Sequence, residues 1–533
     1  MLFSSPLVAA LAGAALLVDA APVDQKRGQG ACENSATSRG CQGSFNAGSD
    51  VTYTWPNTGV TRRNSFDVQY TVLAPDGVSK ATMTVNGQYP GLMMEANWGD
   101  DVEVRVCNRL TSNGTGIHFH GPRQLNTNYA DGTVSQTECA PAPGDCHTYR
   151  WKATQRGTSW YHSHYSVQYV DGVVGPIDVD LGPLLLTDHY HDSAFARVAR
   201  PPAQGLGIPP VAVNGLVNGR NKHAGGGGRR HELVFTPGKK HLLCIVNTGA
   251  EVTFRFAINR HRMTVVVMDF LPVRYDVIVD TDQPATDYWA RSVSMMTCSA
   301  VNLMAYGIRA VVRYNTSSTA DPKALASTPW AMLDECRDEK LSNLVPRIAH
   351  DVGPSAVRPT LACCRQRARA LQPFKGNPVV KQLLDTPAAA ITSDLVPVDL
   401  TRLQGTNWVY MEVESFLPLA HPLRLHGHDT YVLARGAGLY LESVVELQTA
   451  NPPHRDTVNL PANGFVVLPF QTDNPGAWLL HCHIEWHLHG GFAMSIVERP
   501  RNKIRGVYAA AGQDTELQRV CRNCAASGLE ARE

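Results

Sequence analysis

The histidines of this chain are concentrated in four short segments that lie far apart along its 533 residues. Eleven of the 20 histidines fall in these segments, which read His118-Phe-His120-Gly, Trp160-Tyr-His162-Ser-His164, His421-Pro-Leu-Arg-Leu-His426-Gly-His428 and His481-Cys-His483-Ile-Glu-Trp-His487-Leu-His489. In a β-strand, residues two apart project from the same face, so each His-x-His pair presents two imidazoles to one side. Three such pairs brought together would build one metal cluster, although imidazole alone does not distinguish copper from zinc or iron.

The fourth segment also contains a cysteine, Cys482. Because neighbours in a strand face opposite ways, its thiolate points away from His481 and His483, and one strand then serves two metal sites. A thiolate with two histidines in a trigonal array is the blue-copper arrangement, which His421 and His487 would complete. The short covalent path from the sulfur to the flanking histidines would carry electrons between the two sites.

These motifs also have simpler interpretations. A single His-x-His pair in a β-protein is more often a surface pair or a hydrogen-bonded core pair than a metal site. Zinc accepts the same ligands, but hydrolytic zinc sites take about three protein ligands, far fewer than are gathered here. Four such segments in one chain therefore favour a copper protein.

The remainder of the chain predicts an all-β architecture. Strand-like segments such as Ala81-Thr-Met-Thr-Val85 and Gly464-Phe-Val-Val-Leu468 recur between clusters of Gly, Pro, Asn and Asp, and long amphipathic helix patterns are scarce. This pattern is typical of β-sandwiches. The length is too great for one hydrophobic core and predicts about two to four domains.

The N-terminus predicts export. An apolar run from Pro6 to Val18 precedes the small residues Ala20 and Ala21, which is the pattern of a secretory signal. Lys26-Arg27 offers a processing site after a short pro-segment, although an exposed basic pair is an equally good interpretation. The run is shorter than the roughly 20 residues that cross a bilayer and nothing comparable recurs, so we expect a secreted protein without a membrane anchor.

Cysteine content and charge agree with an extracellular protein that acts on small molecules. Thirteen cysteines imply several disulfides, and the odd count leaves at least one for another use, with Cys482 the candidate. Asn113-Gly-Thr and Asn315-Thr-Ser are glycosylation sequons. Charged residues make up 18% of the chain and the formal net charge is +1, so we expect no nucleic-acid partner and favour small uncharged ones.

The four segments, in this order, resemble the copper signatures of multicopper oxidases. Gly157-Thr-Ser-Trp-Tyr-His-Ser-His164 and Asp473-Asn-Pro-Gly-Ala-Trp-Leu-Leu-His-Cys-His483 are similar to fungal laccases, particularly those of ascomycetes. The resemblance implies three consecutive cupredoxin-like Greek-key domains, with a mononuclear copper site in the third and a trinuclear cluster between the first and third. We therefore assign 1–27 to a signal peptide and pro-segment, 28–180, 181–345 and 346–500 to the cupredoxin domains, and 501–533 to a C-terminal tail.

By motif position the resemblance implies four coppers: type 1, type 2 and a type 3 pair. His421, Cys482 and His487 match the type 1 ligands, and Phe492 matches the axial position, where a side chain that cannot coordinate raises the copper potential. One of the two type 2 ligands is matched by His118. The six type 3 ligands are matched by His120, His162, His164, His426, His481 and His483.

The second type 2 position, three residues after His421, is occupied by Arg424. A guanidinium has no lone pair and stays protonated at ordinary pH, so it would place a cation where Cu²⁺ is expected. We therefore expect type 2 copper to bind weakly or not at all. The type 1 site should still form, while four-electron reduction of oxygen is impaired.

Three carboxylates resemble residues with proton-handling roles in the family. Asp131 and Glu485 match acids beside the cluster that handle protons for water formation. Glu251 resembles the acid that accepts the phenolic proton beside His487. Without the resemblance, each would be interpreted as an ordinary solvated or loop-tip acid.

The resemblance also implies three disulfides, Cys32–Cys41, Cys139–Cys521 and Cys298–Cys336. Ala526-Ser-Gly-Leu529 looks like the processing tetrapeptide of ascomycete laccases, with alanine where aspartate is usual. Before Arg274 the chain lacks a segment that relatives use for a strand and part of the pocket wall. No partner is assigned to six cysteines: Cys107, Cys146, Cys244, Cys363, Cys364 and Cys524.

The leading functional hypothesis is a monomeric laccase-like oxidoreductase that takes single electrons from phenols or aromatic amines and passes them to O₂. The natural substrate is left open among lignin fragments, pigment precursors and plant phenolics. A metallo-oxidase of Fe²⁺ or Cu⁺ would need clustered acids or a Met-rich segment, and Met295-Met296 is too short for one. A secreted blue-copper protein without oxygen reduction is the non-enzymatic alternative, which Arg424 and the shortened second domain favour.

Overall fold

A computed structural model of the chain describes residues 42–46, 48–178, 183–199, 210–267, 274–299, 301–314, 316–322, 336, 338–363, 377–385 and 398–529. The predicted signal peptide and pro-segment, the Cys32–Cys41 bridge and the Asn315 sequon lie outside these residues. Among the described residues, no helix combines the length and apolar character needed to cross a membrane. These residues build three successive β-sandwiches and a C-terminal helical pair.

The first sandwich carries the first two histidine motifs. Its strands are β1 (Thr61–Leu73), β2 (Lys80–Val85), β3 (Asp101–Asn108), β4 (Ile117–His120), β5 (Cys146–Lys152), β6 (Ser159–Ser163) and β7 (Val174–Ile177). One sheet has the order β2-β1-β3-β5 and the other β4-β6-β7. Alternate residues of β3, such as Val102 and Val104, are buried with Phe66 and Phe119 in one core, as half-buried strands require.

The second sandwich contains no part of the four motifs. Its elements are β8 (Leu184–His189), α1 (Ala194–Val198), β9 (Asn214–Val217), β10 (Glu232–Val234), β11 (Lys240–Asn247), β12 (Phe254–Ile258), β13 (Met263–Val267), β14 (Arg274–Asp280), β15 (Tyr288–Ser294) and β16 (Arg309–Arg313). The sheet orders are β13-β14-β11-β8-β9 and β10-β16-β15-β12. Ile258, Val279 and Tyr288 lie in its core.

The third sandwich carries the last two motifs. Its elements are β17 (Ser355–Val357), β18 (Thr360–Cys363), α2 (Val379–Asp385), β19 (Val398–Leu400), β20 (Trp408–Ser415), β21 (His421–Leu425), β22 (Thr430–Tyr431), β23 (Ala434–Ala437), β24 (His454–Arg455), β25 (Thr457–Leu460), β26 (Gly464–Gln471), β27 (Gly476–Cys482), α3 (Glu485–His489) and β28 (Ala493–Glu498). The main orders are β17-β20-β26-β23, with β18 also on β20, and β19-β28-β27-β21-β25. A two-stranded sheet joins β22 to β24.

The segment predicted as a C-terminal tail forms two helices, α4 (Arg501–Ala510) and α5 (Gln513–Ala526). Leu517 and Val520 of α5 are buried with Val380 of α2 and with Tyr165, which follows β6 in the first sandwich. These helices therefore pack where the first sandwich meets the third, since Ala477 and Val497 of the third sandwich belong to the same cluster.

Two predicted disulfides are confirmed, Cys139–Cys521 and Cys298–Cys336. A third, between Cys107 and Cys146, joins residues that lie opposite each other in the β3–β5 pair. Cys482, the predicted odd cysteine, remains a buried thiol.

The Cys139–Cys521 bridge is predicted to stabilise the whole molecule because it ties the C-terminal helices to the first sandwich across 382 residues of sequence. Replacing both cysteines by alanine should lower the free energy of unfolding by about 2–4 kcal/mol, measured by calorimetry. The matched control is Cys107→Ala with Cys146→Ala, whose bridge spans 39 residues between strands that are already paired. If the two double variants lose the same free energy of unfolding, the C-terminal bridge has no special role.

Candidate metal centre

Two antiparallel strand pairs supply most of the side chains of the centre. In the first sandwich, β4 pairs with β6 so that His118 lies opposite His162. In the third, β21 pairs with β27 so that Leu423 lies opposite Cys482 and Arg424 opposite His481. Since opposed residues of an antiparallel pair share a face, Cys482 lies on one face of the third-domain sheet and His481 on the other.

Cys482, His421 and His487 converge on one point. The Cys482 sulfur lies 3.7 Å from Nδ1 of His421 and 3.5 Å from Nδ1 of His487, and the two nitrogens are 3.2 Å apart. Burial raises the pKa of the thiol and lowers the pKa of His421 to about 4. The ring centroids of Phe492 and His421 are 5.1 Å apart, and the Phe492 side chain offers no donor atom. The three donors fit a copper ion in a trigonal N₂S site.

The turn that returns the chain from α3 to β28 positions the last of these ligands. The N–H of Cys482 donates to the carbonyl of Phe492 at 3.0 Å, and the N–H of Phe492 donates to the carbonyl of His487 at 2.9 Å. Gly491, at φ 95°, supplies the left-handed conformation at this turn. His487 is thereby held five residues after Cys482 but beside it in space.

Six further imidazoles lie together on the other side of β27 from the Cys482 sulfur. The Nε2 atoms of His426 and His481 are 3.0 Å apart, and Nδ1 of His120 is 3.2 Å from Nε2 of His483. The His164 ring lies 5.1 Å from the His426 ring. The full set contains all the histidines matched to the type 3 pair: His120, His162, His164, His426, His481 and His483.

The electrostatics of this six-histidine cluster suit cations that coordinate nitrogen. Burial lowers the pKa of His164 and of His483 to about 3, and neighbouring imidazoles and Arg424 add to the effect at His483. The rings are therefore neutral and each has a lone pair. Nε2 of His162 and Nε2 of His164 meet no hydrogen-bond partner among the described residues. Two nitrogen ligands of a tetrahedral ion lie about 3.3 Å apart, close to the nitrogen separations seen in this cluster.

Arg424 lies inside the centre and does not fit a copper ligand. Its side chain is 2% exposed, and Nη1 donates to Oδ2 of Asp456 at 2.5 Å. Nη1 also lies 2.9 Å from Nε2 of His120, and Nη2 lies 3.2 Å from Nε2 of His118. The guanidinium thus covers the His118 nitrogen that a type 2 copper would need, and it adds positive charge there. The residues at this position do not fit that copper.

Asp456 is a member of the site that sequence reasoning missed. A buried guanidinium needs a carboxylate partner, but no spacing rule indicates which one. The partner is defined by the pairing of β21 with β25, in which Arg424 lies opposite Thr457, the residue after Asp456. This long-range register is not visible in the sequence.

Asp131 orients two imidazoles of the centre. Its carboxylate lies 3.0 Å from Nδ1 of His426, and its backbone carbonyl lies 2.7 Å from Nδ1 of His118. Burial opposes the charged form, but the two histidines hold the pKa of Asp131 well below its usual value. The next residue, Gly132, has φ 72°, and a Cβ there would lie 1.8 Å from the carbonyl oxygen of Ile117. Only glycine allows the Asp131 loop to approach β4 this closely.

Glu485 and Glu251 lie on two segments that contact each other. Glu485 begins α3, and its N–H donates to the carbonyl of Ala250 at 2.9 Å. Asp188 accepts the N–H groups of Ala250, Glu251 and Val252 at 2.8–3.2 Å and so fixes the Glu251 loop. Burial raises the pKa of Glu485 to about 8. Sequence reasoning missed Asp188, because its role depends on the parallel pairing of β8 with β11.

Regions 67–182, 180–317 and 377–502 each match a family model described as multicopper oxidase. The chain therefore belongs to the multicopper oxidase family, which is a family of copper proteins, and the predicted three-domain cupredoxin fold is confirmed. Within that family, its similarity to fungal laccases makes it a laccase-like copper oxidoreductase, as the sequence predicted.

Its similarity to fungal laccases extends over most of the chain. It is 37% identical to Laccase-2 of Botryotinia fuckeliana, over 88% of this chain and 87% of that one. It is 36% identical to a laccase of Neurospora crassa, over 88% and 83% of the two chains. The crystal structure of the laccase from Botrytis aclada superposes with a TM-score of 0.82 at 35% identity, covering 93% of this chain and 97% of that one.

The raised pKa of Glu485 predicts a pH-dependent term in folding stability. Between its ordinary value of 4.5 and about 8, the unfolded chain releases the proton while the folded chain retains it, so stability falls as the pH rises. Glu485→Gln cannot titrate and should gain stability relative to the wild type by about 1 kcal/mol per pH unit across this window. Denaturant unfolding from pH 5 to 8 measures the difference.

The matched control for this measurement is Glu95→Gln, because Glu95 is exposed. Its free energy of unfolding should equal that of the wild type at every pH. If the free energy of unfolding of Glu485→Gln changes with pH in the same way as that of the wild type, Glu485 does not hold its proton in the folded protein.

Proposed function

We propose that this chain is an extracellular oxidase that takes single electrons from phenols or aromatic amines and delivers them to O₂. The proposal depends on the position of Cys482, whose sulfur faces His421 and His487 while the adjacent His481 and His483 face the six-histidine cluster. Copper held by these two groups would supply the electron acceptor for the substrate and the reductant for oxygen. Both groups are completed within one chain, so we propose a monomer as the working unit.

The protein provides a short covalent connection between the two groups. Cys482 is joined to each flanking histidine by one peptide unit. Cys482 and His481 are held by the β21–β27 ladder, and the N–H of His483 donates to the carbonyl of Pro422 in β21 at 2.6 Å. Phe492 offers no donor atom to the N₂S group, which favours the reduced state of a bound copper and makes it a stronger oxidant.

We propose that Glu251 accepts the phenolic proton as the substrate is oxidised. Its loop is fixed by Asp188 and lies against the start of α3, the helix that carries His487. A carboxylate in this place assists because a phenol loses an electron more easily as its proton leaves. On the oxygen side we propose Glu485 as a proton donor, because burial raises its pKa to about 8 and it follows His483 by two residues. Asp131 keeps His118 and His426 oriented.

We further propose that the chain holds one copper fewer than the four of its family, because the Arg424–Asp456 pair occupies the type 2 position. Four-electron reduction of O₂ is then impaired. The same pair favours a second candidate function, a secreted blue-copper protein that binds copper without reducing oxygen. Both candidate functions use the N₂S group, and they differ only in whether the protein reduces oxygen.

Metal analysis of the purified protein combined with an oxygen electrode tests this proposal. We expect an intense thiolate-to-copper absorption band, three coppers per chain by mass spectrometry, and slow oxygen uptake with a simple phenol. A blue protein without any uptake would establish the second candidate. Four coppers with rapid uptake would refute the account of Arg424, and the lack of a blue band would refute the assignment of Cys482.

Arg424→His should restore the missing ligand. We expect copper content to rise to four per chain and phenol-dependent oxygen uptake to increase at least tenfold, which corresponds to about 1.4 kcal/mol in the activation barrier. Arg424→Gln is the matched control, because it removes the same positive charge without supplying an imidazole. If both variants gain activity equally, relief of charge rather than ligation explains the effect.

A further inference from the structure

A second group of potential metal ligands shares no residue with the copper centre. Asp76 lies in the turn between β1 and β2, His189 ends β8, and His191 follows two residues later. Their ligand atoms all lie within 4.8 Å of one another. Nε2 of His191 is hydrogen-bonded to Oδ2 of Asp76 at 2.9 Å, and Nε2 of His189 is 3.9 Å from Oδ1. The three side chains thus join the first sandwich to the second.

The carboxylate of this group is held in place before any ion binds. Asp76 is fully buried, and it accepts hydrogen bonds from the Val78 N–H at 3.1 Å and from Nδ2 of Asn214 at 3.0 Å. The adjacent Gly77 has φ 99°, and a Cβ there would lie 2.4 Å from the backbone nitrogen of Gly228. The Asp76 turn is therefore pressed against a loop of the second sandwich, and hydrogen bonds of this kind orient metal ligands in proteins.

His189 supplies an independent indication of a ligand. Its side chain is 7% exposed, and its Nε2 meets no hydrogen-bond partner among the described residues although it faces Asp76. A buried ring nitrogen without a partner costs free energy unless another species satisfies it. Burial lowers the pKa of His189 to about 3, so the ring is neutral and able to coordinate.

Lys80, a cation that acts on His189, does not fill this position. The ammonium of Lys80 pairs with Asp171 at 3.2 Å and donates to the carbonyl of Tyr190 at 3.0 Å. The His223 ring lies 5.2 Å from that of His191, but its Nδ1 accepts the Gly225 N–H, so we do not count it as a ligand. The group therefore offers two imidazoles and one carboxylate.

We propose that Asp76, His189 and His191 bind one divalent transition-metal ion of the zinc class, which fastens the first sandwich to the second. Ligands of a tetrahedral zinc ion lie about 3.3 Å apart at metal–ligand distances of about 2.0–2.1 Å. The two histidines approach different oxygens of the Asp76 carboxylate, His191 at 2.9 Å from Oδ2 and His189 at 3.9 Å from Oδ1, and one ligand atom of each of the three residues lies within 4.8 Å of the others. The fourth position is open to water. An ion here stabilises the folded chain by mass action, because the unfolded chain does not bring these residues together.

Zinc binding to the copper-loaded protein tests the proposal. The protein is incubated with micromolar ZnCl₂, freed of excess ion by gel filtration, and analysed for zinc and copper by mass spectrometry. We expect about one tightly held zinc per chain, unchanged copper, and a rise in Tm of about 2 °C or more.

His191→Gln is the informative variant because His191 is the most exposed of the three ligands, with 24% of its side chain accessible. We expect at least tenfold weaker zinc binding and no rise in Tm, while an unchanged blue absorption band reports an intact fold. His241→Gln, in β11 and outside this group, should bind zinc like the wild type. The proposal would be overturned if His191→Gln retained as much zinc as the wild type. It would also be overturned if the wild type took up zinc only at millimolar concentrations.

Discussion

The alternation of side chains along β27 is the constraint on which the rest of the centre depends. Cys482 takes the face that it shares with Leu423, while His481 takes the face that it shares with Arg424. A single strand therefore belongs to both metal groups, and the distance between them is set by covalent bonds. Any shift of one residue in the β21–β27 register would exchange the two faces and separate every ligand from its partners.

The second constraint is the cost of burying so many polar rings. Burial and mutual repulsion lower the pKa values of the six clustered histidines, which keeps them neutral. A permanent cation inside such a cluster is tolerated only with a counterion, and Arg424 has one in Asp456. The replacement of a ligand by arginine is thus accommodated by the fold while it changes what the cluster is able to bind.

The sequence predicted the parts of this arrangement that depend on local spacing. His-x-His pairs, the cysteine between two histidines and the recurring short strands each follow from a period of two along a strand, and the resemblance to a known family supplied the number of domains. The partners that lie at long range could not be predicted. Asp456 and Asp188 act through strand pairing, and the Cys107–Cys146 bridge depends on which strands are neighbours. His189-Tyr-His191 has the same spacing as the copper motifs. Its ability to form a ligand group depends on Asp76, which lies in another domain.

The packing of α5 against the first sandwich has a consequence for biosynthesis. The first sandwich is synthesised before the third, and Cys521 follows both. Three of the six imidazoles of the shared cluster, His426, His481 and His483, belong to the third sandwich. A chain that stops before residue 421 therefore lacks half of the cluster and cannot assemble it.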